Sequence, residues 1–85
     1  MRIVKTADFA KQLVKLPLEI RRAFSRQEKI FVADSRDSRL HLKKLNTSEE
    51  IFSFRITRNY RCLFYFYQDE VVIFFAIDHR KDVYR

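Results

Sequence analysis

Past residue 50 the chain abandons a three-to-four-residue hydrophobic repeat for alternation. In residues 51–56, Phe52, Phe54 and Ile56 fall on one side, and Ser53 and Arg55 on the other. In the next run Tyr60, Cys62, Phe64 and Phe66 oppose Arg61, Leu63, Tyr65 and Tyr67. A third run, residues 71–78, is apolar at almost every position. β-Branched and aromatic residues suit a pleated, half-buried surface, so these runs predict three consecutive antiparallel strands.

Turn length decides which side chains share a face, because a one-residue slip moves every side chain to the other side. A three-residue turn at Thr57-Arg58-Asn59 opposes Phe54 to Cys62 and Arg55 to Arg61, giving one apolar and one arginine face. With no glycine in the chain, Asn59 is expected to supply the left-handed residue of that turn. A two-residue turn at Asp69-Glu70 pairs Phe66 with Ile73, Phe64 with Phe75, Tyr65 with Phe74 and Arg61 with Asp78. In that register Leu63, Tyr65, Tyr67, Val72 and Phe74 form a second apolar face, which calls for a cover.

Upstream, residues 1–5 are a strand candidate, and Thr6 or Asp8 can cap a helix carrying Phe9, Ala10, Leu13 and Leu16 on one face. Pro17 ends that segment and opens a second helix. Ile20, Ala23, Phe24, Gln27, Ile30 and Phe31 fall on one face at three- and four-residue spacing, with Arg21, Arg22, Arg26 and Lys29 largely off it. Residues 34–38 read as a loop, and Leu40, Leu42 and Leu45 are expected to tuck under the sheet edge, leaving His41, Lys43 and Lys44 outward. The expected architecture is α+β: an antiparallel sheet with two N-terminal helices on one face, in the order β-α-α-β-β-β.

The chain's 85 residues imply a single domain spanning 1–85. A net charge of +7 favours a polyanionic partner, nucleic acid first. No apolar run reaches the roughly 20 residues of a membrane span, and no signal-peptide pattern opens the chain. The lone Cys62 excludes an internal disulfide and fits a reducing cytoplasm. The histidines and Cys62 lack metal-ligand spacing, and no glycine-rich phosphate loop exists, so no metal or cofactor is expected. Arg55 beside Arg61 is either two solvated charges or a bidentate anion grip, and Arg61 could instead pair with Asp78.

Leu42-Lys43-Lys44-Leu45, a loop, and then Phe52 through Arg61 resemble the central hairpin of the RelE/ParE superfamily of bacterial toxins. Asp78-His79-Arg80-Lys81-Asp82-Val83-Tyr84 resembles the His-Arg-x-x-x-Tyr ending of its RelE-type branch. The resemblance implies the toxin of a type II toxin–antitoxin system: a metal-independent endoribonuclease that cleaves messenger RNA in the ribosomal A site and is neutralised by an antitoxin. It implies that Arg61 binds the scissile phosphate and that Arg55 is a basic member of the site on the neighbouring strand. His79 would be general acid for the leaving oxygen, and Arg80 and Tyr84 the tail members of the site. Lys43, Lys44, Arg58 and Lys81 would contact RNA, and the second apolar face would take the antitoxin in a hetero-oligomer. The family's second hairpin lysine has no counterpart here, and Asp37, Glu49 and Glu50 are the carboxylates open as general base. A ParE-like gyrase inhibitor, or an inactive domain binding RNA or protein, are the alternatives.

Overall fold

The computed structural model describes residues 1–46 and 48–79. It contains β1 (Arg2–Lys5), α1 (Ala7–Val14), α2 (Leu18–Ala33), a 3-10 turn (Ser38–Leu40), β2 (Lys43–Asn46), β3 (Ile51–Arg55), β4 (Tyr60–Gln68) and β5 (Val71–His79). Thr6 caps α1, its Oγ1 accepting from Phe9 N at 3.1 Å. Pro17 takes the N-cap position of α2, ahead of its first free N–H groups.

The strands form one sheet in the order β1-β5-β4-β3-β2. The strands from β2 to β5 are antiparallel neighbours, as the alternation predicts, whereas β1 lies parallel to β5 at the edge. The sheet is therefore mixed, since the two helices carry the chain across one face between β1 and the meander. That face is sealed by rings. Phe9 of α1 and Phe24 and Phe31 of α2 meet Phe54, Phe64 and Phe74 at centroid distances of 4.9–6.3 Å. All six are at most 2% exposed. Burying large aromatics, each removing about 150–250 Å² from water, is how so short a chain builds a core. Half-buried Gln27 ties α2 to the sheet, its Nε2 donating to the carbonyls of Arg39 and Arg55 at 3.0 and 2.8 Å.

The β3–β4 register is the expected one, with Phe54 opposite Cys62 and Arg55 opposite Arg61. The turn that sets it is different. Ile56 N and Thr57 N both donate to the Tyr60 carbonyl, at 2.9 and 3.2 Å, so two residues oppose one in a bulge. The extra residue is absorbed there, and Asn59 has no positive φ. Thr57 Oγ1 accepts from Asn59 N instead, at 3.3 Å. Positive φ falls on His41 (47°), Glu50 (54°) and Glu70 (67°).

The β4–β5 register departs from the expected one in its middle. Arg61 does oppose Asp78, and Leu63 opposes Ala76, but Phe64 then opposes Phe74, Tyr65 Ile73 and Phe66 Val72. Phe75 is an extra residue on β5 and Tyr67 an extra residue on β4. The two irregularities cancel, so both ends of the ladder match while the centre is shifted. Val72 (1% exposed) and Phe74 (0%) consequently lie in the helix-side core, not on the open face. Leu45 also departs: at the shift between Lys44 and Asn46 it is exposed rather than tucked under the edge.

Candidate functional site

The face away from the helices carries the charged constellation. Alternation along β3 puts Ser53 and Arg55 there, opposite the inward Phe52 and Phe54. Pairing then fixes the neighbours: Arg55 faces Arg61, Ser53 faces Leu63 on one side and Lys43 on the other, and Arg61 faces Asp78. Lys43, Arg55 and Arg61 thus surround Ser53, with Asp78 beyond Arg61. The arginine pair is a like-charge juxtaposition across a ladder, which costs about 0.2–1 kcal/mol unless something negative joins it.

Two buried polar atoms of this face have no hydrogen-bond partner: Arg61 Nη2 and Ser53 Oγ. Arg61 is half-buried and Ser53 is 0% exposed. Asp78, opposite Arg61 in the register, therefore does not accept from Nη2. A buried donor left unmade costs about 1–3 kcal/mol. A guanidinium held so beside a second one is prepared for an oxyanion.

The remaining sequence-derived candidates divide. His79 is opposite Tyr60 in the register, and the two rings meet edge-on at 4.8 Å. Tyr60 packs against the core, so His79 faces the helix side, across the sheet from Arg61. The resemblance groups His79 with Arg61, whereas the register places their side chains on opposite sides of the sheet, since Arg61 and Tyr60 project to opposite sides of β4. Lys44 is also on the helix side, its Nζ 5.9 Å from the Phe52 ring centroid and 3.9 Å from Glu50 Oε1. Arg58 is exposed at the hairpin tip. Arg80, Lys81 and Tyr84 lie outside the described residues.

Of the carboxylates considered as general base, Asp37 is engaged by Arg39, with Nη2 2.8 Å from Oδ2. Hydrogen bonds from the Arg39 side chain and backbone hold its pKa down at about 2. Cys62, on the core side, has its thiol pushed well up by burial, and is a packing residue. Among the described residues no group of three or more His, Cys, Asp or Glu could hold a metal ion, and no helix is long and apolar enough to cross a membrane.

The apolar part of the open face is Leu63, Tyr65, Ile73 and Phe75, all half-buried, with the Tyr65 and Phe75 rings 5.7 Å apart. Ile73 and Phe75 take the places expected of Val72 and Phe74. Tyr67 is 62% exposed at the shift near the end of β4. Ser53 and Asp78 were not singled out from the sequence as site residues. Ser53 was legible, since it alternates with Arg55; its isolation from any partner was not.

A basic, glycine-free α+β domain with a helix-backed sheet and an arginine-paired open face defines the class. No family model matches the sequence, and no curated protein matches it. Solved structures do match the fold. The toxin–antitoxin complex RelBE2 of Mycobacterium tuberculosis aligns at 27% identity over 93% of this chain and 96% of that one, with a TM-score of 0.65. The RelB–RelE antitoxin–toxin complex of Methanococcus jannaschii aligns at 24% identity over 95% and 94%, with a TM-score of 0.76. The archaeal RelE–RelB complex of Pyrococcus horikoshii aligns at 19% identity over 93% of each chain, also at 0.76. The chain has the fold of the RelE/ParE toxin superfamily.

Proposed function

We propose that the chain is the toxin of a toxin–antitoxin pair and that it cleaves messenger RNA on the ribosome without a metal. The observation that carries this reading is the Arg55–Arg61 pair on the open face, with the Arg61 Nη2 buried and unpartnered. Ribose-assisted cleavage of a phosphodiester builds negative charge on the phosphoryl oxygens as the 2′-oxygen attacks. Fixed guanidiniums stabilise that charge more in the transition state than in the ground state. Arg61 holds the scissile phosphate, Arg55 shares the charge, and Lys43 extends the cationic track along β2. Asp78, opposite Arg61 in the register, offsets part of the arginine repulsion.

The solved neighbours include RelE–RelB complexes, which supports an antitoxin partner for this chain. Its segment covers Leu63, Tyr65, Ile73 and Phe75, the apolar half of the same face. A toxin so covered has its anion site shut as well. A toxin acting on ribosomes works in the cytoplasm, where they are.

The test is cleavage of a short messenger on stalled ribosomes, with transcript ends mapped. The intact protein cuts, and Arg61→Ala loses about 10²–10³-fold in rate, the value of one charge-stabilising donor. A wild-type chain that leaves messengers whole and instead blocks gyrase overturns the reading.

A further inference from the structure

We propose that Ser53 is a phosphate ligand: its hydroxyl donates to an oxygen of the anion held by Arg61 and Arg55. The inference rests on the anion-binding reading of those arginines and adds a residue to it. Ser53 stands in the middle of the cationic group, with Lys43 opposite it on β2, Arg55 two residues along β3, and Arg61 diagonal to it on β4. Diagonal neighbours on one sheet face have Cα atoms about 7–8 Å apart, a span that one phosphate group bridges with hydrogen bonds to both side chains.

The chemistry singles this serine out. Its side chain is 0% exposed and its Oγ has no hydrogen-bond partner, the same condition as Arg61 Nη2. Buried hydroxyls are normally satisfied, commonly by nearby backbone carbonyls. Here the charged neighbours, lysine and arginine, are donors only and offer the hydroxyl hydrogen no acceptor. An anion placed among them accepts from all of them at once. Both atoms are sealed from water, so an anion reaches them only as the side chains over them part. A neutral, compact donor beside two guanidiniums suits the two non-bridging oxygens of a phosphodiester, each of which can accept more than one hydrogen bond.

Calorimetric titration of the full chain with a 2′-O-methyl RNA trinucleotide, which cannot be cleaved, tests this at fixed salt. Ser53→Ala is expected to bind about tenfold more weakly, the worth of one hydrogen bond to a charged group. Its melting temperature is expected to hold or to rise, because the substitution removes a buried, unsatisfied hydroxyl. Ser53→Cys, similar in size but a weak donor, should bind like Ser53→Ala. A melting temperature that falls in Ser53→Ala makes the residue structural and overturns the proposal. So does unchanged affinity in both variants. The arginine reading is separable: Arg61→Ala must weaken binding even if the serine variants do not. If Arg61→Ala also binds as wild type, the whole anion site falls.

Discussion

If the open face is the reacting face, His79 is not a catalytic residue, and replacing its ring by another ring leaves cleavage intact. Its ring meets that of Tyr60 edge-on at 4.8 Å on the helix side of the sheet, while Arg61 projects from the opposite side. His79→Ala removes an aromatic pair worth about 0.5–1.5 kcal/mol beyond its area. In a domain this small, each kcal/mol shifts the melting temperature by about 4–8 °C. The expected loss is therefore roughly 2–12 °C, with activity per folded molecule unchanged. His79→Phe keeps the edge-on ring and cannot transfer a proton. It should cleave like wild type per folded molecule. A general acid, by contrast, is typically worth about 10²–10⁴-fold. The assay is single-turnover cleavage of a messenger on ribosomes across pH 5.5–8.5, beside thermal melts of each variant. If His79→Phe melts normally but loses about 10²-fold or more, or erases a limb of the pH–rate profile, the face assignment is refuted.

Arg61→Met removes the unpartnered Nη2 donor and one of two like charges, so it should lose about 10²–10³-fold in cleavage rate while staying folded; a lower melting temperature would show Arg61 to be structural. Glu50 holds φ at 54°, so Glu50→Gly should stabilise by about 0.5–1 kcal/mol in denaturant unfolding, whereas Asn59→Gly, with no positive φ to relieve, should not. Asp37 has its pKa held near 2 against an ordinary 3.8, so the folded state binds its proton less readily than the unfolded one. The resulting contribution to stability is present above about pH 4 and is lost as pH falls through about 2. A carboxyl NMR titration of Asp37 with a midpoint near its ordinary value would contradict the Arg39 contacts.

How far the fold was legible follows from where polar residues interrupt the apolar runs. β3 alternates cleanly, Ser53 and Arg55 against Phe52 and Phe54, and this alone selected the Arg55–Arg61 pairing. The means by which the turn achieves it was not legible, because a bulge donating twice to the Tyr60 carbonyl and a left-handed Asn59 give the same pairing. β1 alongside β5 was equally hidden: residues 1–5 show a strand, but nothing in them names a neighbour or a direction. β5 is the instructive failure. Its residues 71–77 are apolar throughout, so either face could go inward at the same apparent hydrophobic gain, and alternation carries no information. Phe74 meets Phe9, Phe24 and Phe31, rings from helices distant in sequence, and the phase that this contact sets also buries Val72. The extra Phe75 restores the phase before Ala76, and that is why Arg61 still faces Asp78. The irregularity thus separates two demands on one strand. Its first half is set by core packing and its second half by the charged face, and a single additional residue lets both registers coexist.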